Sequence, residues 1–247
     1  EKNDFYSFFK ARGSLPFGEK GRLEYEKIMV NAGPVIDAAF NMALKKELPG
    51  IVTEKIIEDI SISANFADVR EDGVYYLSYG KLNSARLVEG WIRHLFLNIS
   101  MPAEYPKQTI LIGRDSAGKK EILTCVFPAL EKDAYLYFKE LIQIYKNGLI
   151  FPFYFFNETS WQFAKALSRS NFETNRESVL KAMNNVKTRT GWFGGYYQTG
   201  EKENRYVSLC VDRNDPFKSV NNLISSGFVQ NSITVYKPLM ENIKIIS

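Results

Sequence analysis

At 247 residues, with 45% hydrophobic and 14% aromatic side chains, the chain carries ample apolar surface for one large domain or two small ones and needs no staple to fold. Thirty-two basic against 28 acidic residues leave a net charge of +4, a mild excess that tolerates a nearby polyanion without requiring one. The most apolar run, 149–156, is far shorter than the roughly 20 residues of a membrane span and is interrupted by Pro152, so a transmembrane helix is not expected.

In chain order, the opening residues 1–9 show no basic segment followed by an apolar one and begin as an excised piece of a longer chain would. Leu23, Ile28, Val30, Val35, Ile36, Ala39 and Leu44 recur at helical spacing across Gly33-Pro34, which predicts two helices or one kinked helix between 18 and 48. From 51 to 70 the pattern turns extended, with Ile56, Ile60, Ile62 and Phe66, and predicts two strands. Arg70-Glu71-Asp72-Gly73 is a turn, and the β-formers at 74–79 complete a hairpin with the strand before it. Residues 82–97 place Leu87, Val88, Trp91, Ile92, Leu95 and Phe96 on one helical face, with Arg86, Glu89 and Arg93 mostly away from it.

Two further strands at 109–113 and 122–127 form a second hairpin. Helices follow at 132–147, 160–168 and 176–186, and 191–197 reads as an aromatic, glycine-rich loop. No repeat or low-complexity tract interrupts this order. The chain reads as compact throughout 1–247.

Most hydrolytic chemistries lack their residues. Cys125 and Cys210 are isolated in apolar stretches, form no C-x-x-C pair and read as buried free thiols of a reducing cytoplasm. His94, the sole histidine, sits beside the Trp91 face as a packed or half-exposed helix residue, and with two scattered cysteines it makes no zinc set. Residues 113–120 nearly match a phosphate-cradling loop. Lys120 replaces the magnesium-binding hydroxyl, however, and a strand rather than a helix follows, so a hairpin turn is expected.

Metal-dependent DNA hydrolysis needs carboxylates to hold magnesium and a lysine to polarise water, commonly from a β-hairpin. Asp68 stands where the first carboxylate belongs. On the next strand, however, Ser78 occupies the place of the second carboxylate and Gly80 that of the lysine, with Lys81 one residue late. Strand side chains alternate faces, so that offset misdirects the amine unless a bulge corrects it. The nuclease positions Asp68, Ser78 and Gly80 therefore read as degenerate, with no catalytic residue and no metal. An active site that recruits Glu54 or Glu58 instead is the rival reading.

This hairpin and helix resemble the RecB-type branch of the PD-(D/E)xK nucleases, whose helix carries Gln-x-x-x-Tyr; the comparable spacing here is Leu87-x-x-x-Trp91. Over nearly all 247 residues the chain resembles the C-terminal domains of RecC, the gamma subunit of exodeoxyribonuclease V. The resemblance is carried by Leu15-Pro16-Phe17-Gly18 with Gly21, Glu89-Gly90-Trp91-Ile92-Arg93-His94-Leu95, and Thr159-Ser160-Trp161 with Ala164. It continues in Gly191-Trp192-Phe193-Gly194 and in Gly200-Glu201 with Tyr206.

The resemblance implies a restriction-endonuclease-like α/β fold, a mixed sheet flanked by helices with a degenerate active site. It also implies a non-catalytic part of the bacterial, cytoplasmic RecBCD helicase-nuclease in double-strand break repair and recombination. The partners would be RecB, RecD and double-stranded or forked DNA, with no membrane; ATP and magnesium would act on other subunits and no cofactor in this domain. A purely structural interaction module is the second rival. Arg86, Arg93, Lys119 and Lys120 are the candidate phosphate contacts, and the aromatic group Trp192, Phe193, Tyr196 and Tyr197 the candidate partner-binding patch.

Overall fold

The computed structural model describes residues 2–115, 121–130, 132–196, 198–211 and 214–246. Helix α1 (Lys2–Ala11) leads into α2 (Glu19–Ala43), a single helix that continues through Pro34. Of the two arrangements the Gly33-Pro34 pair allowed, the structure adopts one continuous helix.

Strands β1 (Ile51–Ile57) and β2 (Ile60–Phe66) pair antiparallel in unbroken register from Ile51 opposite Phe66 to Ile57 opposite Ile60. Glu58 in the intervening two-residue turn has φ 59°, the left-handed geometry that such hairpin turns need. Strands β3 (Val69–Arg70) and β4 (Gly73–Lys81) make the next hairpin, whose first strand is only two residues long.

Helix α3 (Ser84–Ser100) crosses over to β5 (Thr109–Arg114), which lies parallel to β4. Strand β6 (Ile122–Phe127) returns antiparallel as expected, and β7 (Lys244–Ile246) closes the other edge, giving the order β3-β4-β5-β6-β7.

Helices α4 (Ala134–Ile150), α5 (Asn157–Leu167), α6 (Arg176–Met183), α7 (Val186–Phe193), α8 (Arg205–Val211), α9 (Val220–Ser225) and α10 (Phe228–Asn242) follow, with single 3-10 turns at Ser168–Ser170, Glu201–Glu203 and Pro216–Lys218. Ala38 and Met42 of α2 pack over Tyr75, Ile110, Ile112 and Val126 on one sheet face. On the other face Leu87, Trp91 and Leu95 of α3 join Phe127, Phe138 of α4 and Tyr236 of α10 in the main core. A third cluster, centred on Phe163, Trp192, Leu223 and Phe228, holds the C-terminal helices to one another. The Glu58-Asp59 tip is tied to α4 by Lys139–Glu58 at 2.8 Å and by a Lys146–Asp59 ion pair.

Two expectations are corrected. Residues 191–193 are the last turn of α7 rather than loop, because Gly191 lets that helix press against Thr159, where a Cβ would stand 3.0 Å from the hydroxyl. Cys125 is buried as expected, but Cys210 is exposed on α8. Among the described residues, no helix is long and apolar enough to cross a membrane.

Candidate functional site

The end of β4 departs from regular pairing. It runs in step with β5 from Val74–Thr109 to Leu77–Ile112 and then slips, so that Lys81 lies opposite Arg114. Four residue steps on β4 thus span two on β5, a bulge with two extra residues. The Ser78 hydroxyl fills it by accepting the Gly80 N–H at 3.1 Å. Across the gap, a Cβ on Gly113 would stand 3.0 Å from the Gly80 carbonyl and 2.8 Å from Leu82 Cγ, so glycine is what lets β5 approach.

A slip of two residues keeps the parity of the faces, and Lys81 remains on the exposed tail of the strand beside Arg114. Asp68 is exposed just before β3, its carbonyl accepting the Tyr75 N–H at 2.9 Å. The rival carboxylates are engaged elsewhere: Glu54 accepts from Ser61 across the β1–β2 pair, and Glu58 binds Lys139. Among the described residues, no three metal-ligating side chains converge.

Helix α3 flanks this bulge. Asn83 caps it by accepting the Arg86 N–H at 3.1 Å. Gly90 faces Leu111, whose side chain would overlap a Cβ there, so helix and sheet lie in close contact. Leu87 and Trp91, at the spacing of the nuclease Gln-x-x-x-Tyr, are both core residues.

On the outer side Glu89 accepts from Arg86 at 2.9 Å and from Arg93 at 3.3 Å, each side chain about half exposed. The Arg93 guanidinium also lies 5.1 Å from the centre of the Tyr76 ring. Burial raises the Tyr76 hydroxyl's pKa, and the neighbouring guanidinium opposes that shift. Tyr76, Ser78, Gly80, Arg86, Glu89 and Arg93 line a groove of about 460 Å³ between the bulge and the helix.

Leu82 separates this groove from a second cleft, of about 580 Å³, at the N-terminal end of α3; Asn83, Ser84, Glu158, Trp161, Lys165 and Lys187 are among its walls. A polar network fastens that end. Ser84 donates to Glu158 at 2.9 Å and accepts from Asn157 at 2.7 Å, while the Tyr236 hydroxyl donates to the Asn157 carbonyl at 2.9 Å. The Glu201 carboxylate, at the start of the 3-10 turn 201–203, accepts the Glu158 and Thr159 N–H groups at 3.0 and 2.7 Å and so caps α5 from a distant part of the chain. Gly200 fits against the backbone of Trp192 to Gly194, where a Cβ would overlap. The sequence segments around Thr159, Gly191 and Gly200 therefore meet in one packed junction.

His94 is fully buried as a packing residue. It packs against both Trp91 and Phe127, with Nδ1 3.0 Å from Thr109 Oγ1, and burial lowers its pKa to about 3. Of the candidate phosphate contacts, Arg86 and Arg93 are brought together on α3, whereas Lys119 and Lys120 lie outside the described residues.

The candidate aromatic patch is not one surface. Trp192 is wholly buried against Phe156 and Phe217, Phe193 is partly covered by Arg189 and Lys202, Tyr196 is exposed, and Tyr197 lies outside the described residues. Sequence reasoning missed Lys165 and Lys187 on the second cleft and Glu201 as a cap. The lysines carry no local motif, and the cap joins residues more than 40 positions apart.

Fold and groove together define a mixed α/β domain, with helices on both faces of a mixed sheet and an arginine-bordered groove along its bulged strand. The profile of the RecC C-terminal domain family matches residues 1–168, more than half the chain, and the chain belongs to that family. Membership ties it to the RecC subunit of exodeoxyribonuclease V and, broadly, to DNA repair. No curated protein matches the sequence.

Proposed function

We propose that this chain is a non-catalytic, DNA-handling and subunit-assembly domain of the bacterial RecBCD helicase-nuclease, acting in the cytoplasm in double-strand break repair and recombination. Its partners are RecB, RecD and double-stranded or forked DNA; it takes no cofactor, and ATP and magnesium serve other subunits. The observation that carries the reading is the β4 bulge. At the two positions where a PD-(D/E)xK site would place its second carboxylate and its lysine, the chain has Ser78 and Gly80, hydrogen-bonded to each other. The hairpin, the crossover helix α3 and the parallel strand β5 support a restriction-endonuclease-like ancestry for the scaffold.

Arg86 and Arg93 beside the bulge supply cations for phosphate contacts. The assembly half of the proposal is supported by large exposed apolar side chains on α1, α2 and α4, among them Phe5, Phe8, Phe40, Tyr145 and Leu149. The test is binding of the chain to forked and blunt duplex DNA with magnesium across a salt series, with cleavage followed in the same samples. Salt-sensitive binding without cleavage is expected. Cleavage overturns the non-catalytic reading, and absence of binding at low salt removes its DNA half and leaves the structural module.

A further inference from the structure

We infer that Glu89 occupies, in the free protein, the position a nucleic-acid phosphate takes in the groove, so that a phosphodiester binds there by replacing this carboxylate between Arg86 and Arg93. The inference rests on the DNA-handling reading above and concerns how the same groove is filled.

The geometry is that of a bridging anion. One carboxylate oxygen of Glu89 meets the Arg86 guanidinium at 2.9 Å and the other meets that of Arg93 at 3.3 Å. The two arginines are seven residues apart on α3, which sets them about 10 Å apart along the helix axis. A single acceptor group between them is therefore positioned by both. A phosphodiester offers the same bridging pattern through its two unesterified oxygens, and arginine forks match it well.

The groove has room for such a group because its strand side has lost the side chains a nuclease would place there: Ser78 is turned back onto the Gly80 N–H and Gly80 has none. Arg93 is further oriented by the Tyr76 ring beneath it. Both ion pairs are about half exposed, and surface pairs of that kind are weak, so a competing anion displaces the carboxylate readily. With Glu89 in place the trio carries one net positive charge. Without it two guanidiniums are free.

Glu89→Gln tests this, because the amide keeps the size of the side chain while removing its charge. Wild type, Glu89→Gln, Arg86→Ala/Arg93→Ala and the triple variant are titrated with the same forked duplex DNA at about 50 to 200 mM salt, a range over which phosphate contacts change affinity strongly. Circular dichroism and thermal melting confirm that all four fold alike.

The expected result is salt-sensitive binding in both proteins, about three- to tenfold tighter for Glu89→Gln, because the phosphate that both contact no longer has to displace a charged carboxylate. The gain disappears in the triple variant. If wild type binds and Glu89→Gln binds no tighter, or if the gain survives loss of both arginines, the inference is overturned while the DNA-handling reading stands. If neither wild type nor Glu89→Gln binds, that reading fails and the inference with it.

Discussion

The Ser78 hydroxyl accepts the Gly80 backbone N–H at 3.1 Å, and this short local bond stabilises the bulge at the end of β4. Residues 78 and 80 are therefore part of an irregular turn of the strand rather than two side chains standing on one sheet face. Writing the nuclease residues back, Ser78→Asp with Gly80→Lys, is expected to give a folded protein with no magnesium-dependent cleavage of linear duplex DNA. The introduced carboxylate would accept the same backbone N–H, and the bulge would still set both side chains out of register with Asp68. Release of labelled nucleotides above the wild-type background would show that composition alone, and not the bulge, had removed the site.

His94 makes the fold sensitive to mild acid. Burial holds its folded pKa at about 3 against 6.5 for a free imidazole, so the folded state keeps it neutral while the unfolded chain takes up a proton. The contribution is complete above pH 6.5 and is lost as pH falls from there towards 3, at about 1.4 kcal/mol per pH unit. Urea unfolding at pH 7 and pH 5 is expected to differ by about 2 kcal/mol from this residue. His94→Gln, less stable at pH 7 through imperfect packing beside Trp91 and Phe127, loses that difference. Equal pH dependence in wild type and variant would place the acid sensitivity elsewhere.

What was legible in the sequence was the part in which neighbours along the chain decide the structure. The run of β-formers at 74–79, the paired runs at 109–113 and 122–127, and the apolar face of Leu87, Trp91 and Leu95 are each set by residues close in sequence, and each appears where expected. The last turn of α7, residues 191–193, reads as loop because glycine argues against helix locally. Its reason for being there, the close approach of Gly191 to Thr159, lies 32 positions away. The short helices α8 and α9 and the closing strand β7 have too few residues to show a period of their own. At the groove, Arg86 and Arg93 could be picked from the helical pattern, but their shared engagement with Glu89 depends on the outer face of α3 being left uncovered.

Glu201 links the 3-10 turn after α7 to the start of α5, and its loss should be felt as a loss of capping. Its carboxylate takes two of the helix's otherwise unpaired N–H groups, at 3.0 and 2.7 Å. Glu201→Ala is expected to cost about 1–2 kcal/mol, as loss of a helix cap does. In a chain of this size each kcal/mol lowers Tm by about 2–4 °C. Glu201→Gln retains one acceptor oxygen and should fall between wild type and the alanine variant. A Glu201→Gln melting point equal to that of Glu201→Ala would mean that the charge, rather than the hydrogen bonds, supports this junction.

Trp192 and Tyr196 lie four residues apart and should respond oppositely. The Trp192 ring has no exposed surface: its centroid is 4.6 Å from that of Phe156 and 5.2 Å from that of Phe217, and its Nε1–H donates to Asp215 at 3.2 Å. The same carboxylate accepts from Lys202 at 2.6 Å and from the Phe217 N–H at 2.8 Å, so the indole is part of a fastened junction. Trp192→Ala empties the centre of the C-terminal helical cluster and is expected to cost about 3–5 kcal/mol. That corresponds to a fall in Tm of roughly 6–20 °C. Trp192→Phe keeps most of the packing but leaves Asp215 one donor short, and should cost less than half as much. Tyr196, with 92% of its surface exposed, is expected to tolerate Ser within about 0.5 kcal/mol, the usual range for surface sites. Thermal melting of the three variants separates the two roles. A Trp192→Ala protein that melted with wild type would mean that the indole is not in the core, and would return it to the surface patch its sequence neighbours first indicated.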